Sequence, residues 1–216
     1  MYLTVLTNNM PNLIFDFDGV IGDTYEATIQ AHLRIGVIKD REMAISEMNR
    51  YFSSKPNHSR DHDLTPEEMQ KQYDWISQFG KHVVDIGFEL FTDFVTEIEK
   101  LKTSNMAVVS SGSQQYVLPA LAKTEIRFSH ILAYENHHSK EEKIETICRD
   151  WGVNESEVNY FTDSLADVYE LNKLISPDKL IGVSAPRTNF KPSFLKTRFS
   201  VYQVTSLNYF LDNFTQ

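Results

Sequence analysis

Two aspartates separated by one residue end the first apolar run that we interpret as a strand. Residues 13–24 read LIFDFDGVIGDT, so Asp16 and Asp18 follow the run LIF and stand directly before Gly19. Side chains two residues apart on a strand point the same way. Both carboxylates can therefore reach the space beyond the carboxyl end of that strand, which is where open α/β sheets bind ligands. Two ionised carboxylates held this close repel each other and require a cation or a shared proton.

A second candidate strand ends in groups that suit a phosphate. The run MAVV at 106–109 is followed by Ser110, Ser111 and Gly112. These residues offer hydroxyls and backbone N–H groups at a point where a helix is predicted to begin. Such groups form a favourable environment for a phosphate anion.

Further charged residues are predicted at the same edge of the sheet. The run VNYF at 158–161 is followed by Asp163 and Asp167, and Lys140 opens a predicted helix. A cation in the first turn of a helix is disfavoured by roughly 0.3–1 kcal/mol, so we expect the ammonium of Lys140 to face an anion. Lys143, one helical turn later, is the alternative lysine. The four aspartates outnumber the lysine, and a hard divalent cation with oxygen ligands would relieve the excess negative charge.

The pattern of apolar runs predicts the elements that position these groups. Runs at 13–15, 106–109, 130–134, 158–161 and 180–183 predict strands, and the later ones alternate with helical patterns, as expected for a parallel sheet covered by helices. The helix at Lys140 has a start of capping-box form at Ser139. Residues 87–102 carry an apolar face at helical spacing and lead back into the sheet.

The segment 24–88 contains no convincing strand. Amphipathic runs at 25–37 and 41–52 predict helices, a third helix begins at Thr65 with a capping tetrad, and a loop at 54–64 joins two of these helices. We therefore predict an α/β fold with a parallel sheet, made of a discontinuous core of residues 1–23 and 89–216 and an inserted α-helical cap of residues 24–88.

Composition excludes several classes of function. The chain is 41% hydrophobic and 24% charged, as in ordinary globular proteins, and its net charge of −9 disfavours nucleic acid and anionic membranes as partners. The single cysteine, Cys148, cannot form an internal disulfide, which suits a reducing compartment. The N-terminus lacks the basic region of a secretory signal. We expect a cytoplasmic protein, and its oligomeric state stays open.

Four motifs in order resemble those of the haloacid dehalogenase superfamily. They are DFDGVIGDT at 16–24, VVSSG at 108–112, the lysine at 140 and TDSLAD at 162–167. The helical insertion after the first motif resembles the cap of the first structural subclass, which includes phosphoglycolate phosphatase-like and β-phosphoglucomutase-like enzymes. The resemblance implies a Rossmann-like core and a phosphatase that acts on a small phosphorylated metabolite.

The resemblance also implies roles for the acidic residues. Asp16 would attack phosphorus to form an aspartyl phosphate, and Asp18 would protonate the leaving group and then activate water. Mg²⁺ would be the cofactor, bound by the carboxylates of Asp16 and Asp163 and by the backbone carbonyl of Asp18.

The remaining motif residues would hold the phosphoryl group and the lysine. Ser110 would bind the transferring phosphoryl group together with the backbone at Ser111 and Gly112. Lys140 would bridge that group to the nucleophile, and Asp167 would orient the lysine or a metal-bound water.

Two departures from the family pattern leave alternatives open. Thr162 stands where the fourth motif usually opens with glycine, and no proline follows Lys140. A phosphomutase would keep all four motifs, and a catalytically silent relative that binds a phosphorylated ligand or a protein would tolerate the departures. The sequence does not identify the substrate or the cap residues that contact it.

Overall fold

The structure, a computed structural model, describes residues 11–54, 64–101, 105–183 and 202–204. Its strands are β1 (Asn12–Phe15), β2 (Gly22–Asp23), β3 (Glu89–Leu90), β4 (Met106–Val109), β5 (His130–Leu132), β6 (Val158–Thr162), β7 (Leu180–Val183) and β8 (Tyr202–Val204). Its helices are α1 (Tyr25–Ile35), α2 (Arg41–Ser53), α3 (Pro66–Ile86), α4 (Thr92–Glu99), α5 (Gln114–Leu121), α6 (Lys140–Trp151) and α7 (Leu165–Leu171). The N-terminal segment 1–10 and most of the loop predicted at 54–64 lie outside the described residues.

Six of the described strands form one sheet in the order β5-β4-β1-β6-β7-β8, and every neighbouring pair is parallel. The central strand β1 pairs Ile14 with Ala107 of β4 and with Tyr160 of β6. All five predicted strands are in this sheet, although β5 ends two residues earlier than predicted, and β8 was not predicted. The carboxyl ends of β4, β1 and β6 therefore lie side by side, directly before the candidate site residues.

The central strand is buried on both faces. Leu13 and Phe15 belong to one apolar cluster, which includes residues of α4 and α5, whereas Ile14 belongs to a second cluster with residues of α6 and α7. This division follows from the alternation of side chains along a strand. Helices on both faces explain why the strands read as continuous apolar runs. The predicted α/β fold class with a Rossmann-like parallel sheet is confirmed.

The helices α1, α2 and α3 lie between β2 and β3 in the chain. Helix α1 packs against both α2 and α3. Thr65 begins α3 with the predicted capping box, because its hydroxyl accepts the N–H of Glu68 and the carboxylate of Glu68 accepts the N–H of Thr65. None of the helices in the described residues is both long enough and apolar enough to cross a bilayer.

A short antiparallel pair of strands was not predicted. Gly22 pairs with Leu90, and Asp23 pairs with Glu89. The apolar face predicted at helical spacing over 87–102 is therefore divided, since residues 89–90 are extended and α4 begins only at Thr92. Strands of two residues leave no periodic pattern in a sequence, which explains the difference. The segment that contains α1, α2 and α3 therefore begins and ends at two paired strands.

Candidate active site

A buried lysine joins two of the predicted aspartates. The Nζ atom of Lys140 lies 2.8 Å from Oδ2 of Asp16 and 2.7 Å from Oδ2 of Asp167. Lys140 is the first residue of α6, after the N-cap Ser139, so its ammonium faces anions as its unfavourable place on the helix dipole predicts. Burial acts to lower the pKa of Lys140, but the two carboxylates raise it well above its usual value. Lys140 is therefore charged at neutral pH.

The alternative lysine has a different partner. Lys143 is fully buried, and its Nζ donates to the backbone oxygen of Ser110 at 2.6 Å. Burial lowers the pKa of Lys143 to about 7, and the charge of Lys140 acts in the same direction. Lys140 is thus the lysine that contacts Asp16, while Lys143 holds the backbone of the loop after β4.

Hydroxyl groups surround the carboxylate of Asp18. Thr24 donates to its Oδ1 at 2.7 Å, Ser110 donates to its Oδ2 at 3.0 Å, and the hydroxyl of Tyr116 lies 3.1 Å from both oxygens. Burial raises the pKa of Asp18, although these hydrogen bonds oppose the rise. Sequence reasoning missed Thr24 and Tyr116 because neither motif pattern nor helical spacing indicates which way they point.

In the loop after β4, Ser110 contacts Asp18, whereas Ser111 and Gly112 face the cavity. The hydroxyl of Ser110 contacts Asp18 and accepts the N–H of Gly112 at 2.8 Å. Ser111 and Gly112 line the cavity described below, and Ser110 is not among its lining residues in the described part of the chain. A Cβ atom at Gly112 would lie 1.8 Å from the hydroxyl oxygen of Tyr116, so only glycine leaves room for that tyrosine.

Asp163 carries an unsatisfied oxygen beside the turn that follows β1. Its Oδ1 is buried without a hydrogen-bond partner among the described residues. The backbone of Gly19, at a φ of 73°, passes so close that a Cβ there would lie 1.9 Å from Oδ2 of Asp163. Burial raises the pKa of Asp163 to about 8, and the charge of Asp167 adds to the rise. An orphaned buried carboxylate oxygen is suited to a cation.

The expected magnesium ligands fit this arrangement. Burial also raises the pKa of Asp16 well above its usual value, although Lys140 opposes the rise, so both carboxylates of the expected set would be stabilised in ionised form by a cation. No group of three or more His, Cys, Asp or Glu side chains in the described residues is arranged to hold a metal by itself. The expected set needs only Asp16, Asp163 and the carbonyl of Asp18, with oxygens of phosphate and water completing it.

Thr162, a departure from the family pattern, supports Asp167. Its hydroxyl donates to Oδ2 of Asp167 at 2.6 Å, and the hydroxyl of Tyr160 lies 3.1 Å from the same oxygen. Burial acts to raise the pKa of Asp167, but the charge of Lys140 and hydrogen bonds with Asp16, Lys140 and Thr162 hold it below its usual value. Glu170, which sequence reasoning missed, accepts the backbone N–H of Lys140 at 2.7 Å and so fixes the start of α6.

These groups open into one cavity of about 650 Å³. Asp16, Asp18, Lys140 and Asp163 line it at the carboxyl ends of the strands, and residues of α1, α2 and α3 line the remainder. The parallel sheet thus presents Asp16 at the end of its central strand, Lys140 contacts it from the start of α6, and inserted helices line the same cavity.

Comparison with known proteins identifies the family. The model of the haloacid dehalogenase-like hydrolase family matches residues 13–170. The chain therefore belongs to the haloacid dehalogenase-like hydrolases, and it has the hydrolase fold of that superfamily. No curated protein matches the chain.

Solved structures of this family share the fold over nearly the whole chain. A predicted phosphoglycolate phosphatase from Haemophilus somnus 129PT is 15% identical with a TM-score of 0.61, covering 98% of this chain and 100% of its own. CbbY from Rhodobacter sphaeroides, solved with phosphate, is 15% identical with a TM-score of 0.58, covering 91% and 94%. An L-2-haloacid dehalogenase is 13% identical with a TM-score of 0.57, covering 95% and 99%. At these identities, the similarity establishes the fold alone.

Proposed function

We propose that this protein is a cytoplasmic, Mg²⁺-dependent phosphatase that hydrolyses a small phosphorylated metabolite through an aspartyl phosphate. Residues 24–88 form its cap, and residues 1–23 with 89–216 form its core. The contact of Lys140 with both Asp16 and Asp167, beside the orphaned Oδ1 of Asp163, supports the proposal best. This cluster combines a nucleophile, a fixed cation and a free acid oxygen for a metal.

Asp16 and Asp18 carry the two chemical steps. The carboxylate of Asp16 attacks phosphorus, the ester P–O bond breaks, and Asp18 gives its proton to the leaving alkoxide. Water then attacks the phosphorus of the aspartyl phosphate while Asp18 accepts its proton, which releases inorganic phosphate and restores Asp16. The raised pKa of Asp18 suits a carboxyl that must give and take a proton near neutral pH.

The remaining residues hold charge during the transfer. Lys140 stabilises the negative charge shared by Asp16 and the transferring phosphoryl group. Ser111 and Gly112 line the cavity and hold that group, whereas Ser110 must exchange its bond to Asp18 for one to phosphate. Mg²⁺, when held by Asp16, Asp163 and the carbonyl of Asp18, neutralises further charge on the phosphate.

The two departures in sequence give little support to a catalytically silent relative. Thr162 donates a hydrogen bond to Asp167, and Lys140 reaches Asp16 without a following proline. Binding alone would gain little from Asp18 and its three hydroxyl partners.

The presence of Asp18 also disfavours dehalogenation as the reaction. A departing halide needs no proton, whereas an alkoxide does, and Asp18 is placed to supply one. We therefore expect no halide release from 2-chloropropionate under conditions in which phosphate esters are hydrolysed.

Hydrolysis of p-nitrophenyl phosphate with Mg²⁺ or with excess chelator tests the proposal. We expect activity only with Mg²⁺, and we expect Asp16→Asn to lower kcat by about a thousand-fold or more. Asp85→Asn, at an exposed aspartate near the end of α3, is the matched control and should leave activity unchanged. Activity that survives Asp16→Asn or the chelator would contradict the mechanism. In a separate assay, conversion of a sugar 1-phosphate to the 6-phosphate would identify a mutase.

A further inference from the structure

The cavity above the aspartates has two chemically different ends. Asp16, Lys140 and Asp163 line one end, as described above, and side chains of the cap helices and of the segment after α1 line the other. Its volume of about 650 Å³ exceeds what a phosphate group fills, so the cap end is available to the organic part of an ester.

Apolar side chains dominate the cap end. They include Val37, Met43, Met48, Phe52, Trp75 and Phe79. Six large apolar side chains are exposed in the described part of the chain, and three of these, Val37, Met43 and Trp75, line the cap end of this cavity. Tyr51 also lines the cavity, but its hydroxyl is hydrogen-bonded to Ser111, near Lys140 at the other end. Exposed apolar surface concentrated in one concave place marks a site that an apolar group covers.

The cap end offers little positive charge. Arg50 lines it, but its guanidinium pairs with Glu47 at 2.7 Å. Burial lowers the pKa of His32, which is neutral at neutral pH, and its ring packs on Phe79 with a centroid distance of 5.0 Å. Among the described residues of the cap end, no unpaired cation faces a second anionic group of a substrate. An uncharged organic group is therefore favoured.

We propose that the substrate is a phosphate monoester whose organic part is uncharged and apolar, such as an aromatic ring or a branched alkyl chain. This inference rests on the proposed phosphatase function and names its substrate class. The phosphate lies at Asp16 and Lys140, and the apolar part packs against Trp75 and Phe79, which are stacked on each other with a centroid distance of 5.3 Å.

Two esters with alkoxide leaving groups test the inference by turnover. Benzyl phosphate carries an apolar ring, and glycerol 1-phosphate carries two hydroxyls. We expect kcat/KM for benzyl phosphate to be at least about 30-fold higher, since apolar groups in an apolar pocket discriminate by 10- to 200-fold. Equal kcat/KM values for the two esters, or a higher value for glycerol 1-phosphate, would overturn the inference and leave the phosphatase function intact. A higher value for phosphoglycolate, measured in the same way, would have the same meaning.

Substitutions at two valines test whether the apolar part of the substrate binds at the cap end of the cavity. Val37 lines the cavity and is 73% exposed, whereas Val84 is 51% exposed and is not among the described lining residues. Val37→Asp should reduce the preference for benzyl phosphate about 10-fold or more, because it adds a charge to the apolar end. Val84→Asp should leave the preference and the activity unchanged. An equal effect of both substitutions would contradict the assignment.

Binding of two phosphonates separates this inference from the proposed function. Benzylphosphonate and methylphosphonate are not hydrolysed, so calorimetry with the wild-type protein and Mg²⁺ reports binding alone. Binding of benzylphosphonate at least about 10-fold tighter than that of methylphosphonate supports the apolar site, whether or not esters are hydrolysed. Absence of ester hydrolysis would instead refute the proposed phosphatase function. Equal binding of the two overturns the inference.

Discussion

The two buried lysines of α6 differ in their charge because they differ in their partners. Both are desolvated, but Lys140 meets two carboxylates, whereas the Nζ of Lys143 meets a backbone carbonyl. The pKa of Lys140 is therefore raised, and that of Lys143 is lowered to about 7. One helical turn thus separates a fixed cation from a lysine that is readily neutralised.

The hydroxyl of Tyr116 is expected to tune the acid and base function of Asp18. Its hydrogen bond is one of those that lower the pKa of Asp18 against the effect of burial. Tyr116→Phe keeps the ring packed on Phe17 and Phe88 but removes the donor. The pKa of Asp18 should then rise further, which moves the acidic limb of the kcat profile to higher pH, because Asp18 must be ionised to accept a proton from water in the second proposed step.

The pH dependence of kcat measures this effect for the wild-type protein and for Tyr116→Phe. Tyr169→Phe is the control, because Tyr169 packs in the apolar cluster on the other face of the sheet and should leave the limb in place. An acidic limb that stays unchanged in Tyr116→Phe, or moves to lower pH, would show that the hydroxyl has no such role.

At the scale of elements, the turn after β1 connects Asp16, the proposed nucleophile, to Asp163, a proposed metal ligand. Gly19 adopts a φ of 73° in this turn, and its N–H donates to the carbonyl of Gly22 at 2.9 Å. Its missing side chain leaves the space that the carboxylate of Asp163 occupies. The end of β1 and the end of β6 therefore fit together only with glycine at this position.

Two glycine substitutions separate backbone strain from this close approach. Gly36 also has a positive φ, of 79°, but a Cβ there would meet nothing within 4 Å. Gly36→Ala should cost about 1–2 kcal/mol of unfolding free energy from backbone strain alone. Gly19→Ala should cost more, because its Cβ would displace Asp163, and it should also abolish the rise in Tm that Mg²⁺ produces. Equal losses in both variants, with the Mg²⁺ response kept, would refute this account.

The regular elements were predictable from the sequence because each has a local cause. The apolar run 106–109 is buried in the sheet, and Ser139 caps α6, as their patterns predict. The pair β2 and β3 was not predictable, because its pairing joins residues far apart in the chain. The start of α4 at Thr92 could not be inferred from apolar spacing, since Phe88 packs on Phe17 from an extended segment.

The aspartates and serines of the candidate site were predicted from their place at strand ends, and Lys140 from its place in the first turn of a helix. Asp16 and Asp163 lie at one edge because β1 and β6 are neighbouring parallel strands, and Lys140 reaches Asp16 from the start of α6. Tyr116 and Glu170 lie on helices, and the side that a helical residue presents to the site depends on the packing of that helix. Gly112 gives a local indication that another side chain lies close to this loop, since a glycine leaves room for a neighbour. The sequence does not show that this neighbour is Tyr116.

At the scale of the whole molecule, the buried carboxylate of Asp163 makes stability depend on pH. The pKa of Asp163 is raised from 3.8 to about 8 in the folded state. The folded protein keeps this proton between those values, whereas the unfolded chain releases it. The contribution of Asp163 to stability is therefore complete below about pH 4 and is lost as pH rises through about 8.

Without metal, we expect the free energy of unfolding to fall from about pH 5.5 to about pH 8.5 through this group. If Asp163 binds Mg²⁺ as proposed, it does so as the ionised carboxylate, so Mg²⁺ should raise Tm more at the higher pH. Thermal melts at both values, with Mg²⁺ or with chelator, measure the difference. Asp163→Asn should lose most of the response, whereas Asp85→Asn should keep it. A response to Mg²⁺ that is equal at both values would contradict the predicted role of Asp163.

The pairing of β2 with β3 has a consequence for how such a protein can diversify. Gly22 lies opposite Leu90 in a two-stranded sheet separate from the six-stranded one, so the long segment between them begins and ends at one place. Replacing this segment by another of different length should leave the path of β1, β4 and β6 unaltered. Under the proposed function, substrate preference could then change by exchange of this segment alone, while the acids proposed for catalysis stay in place.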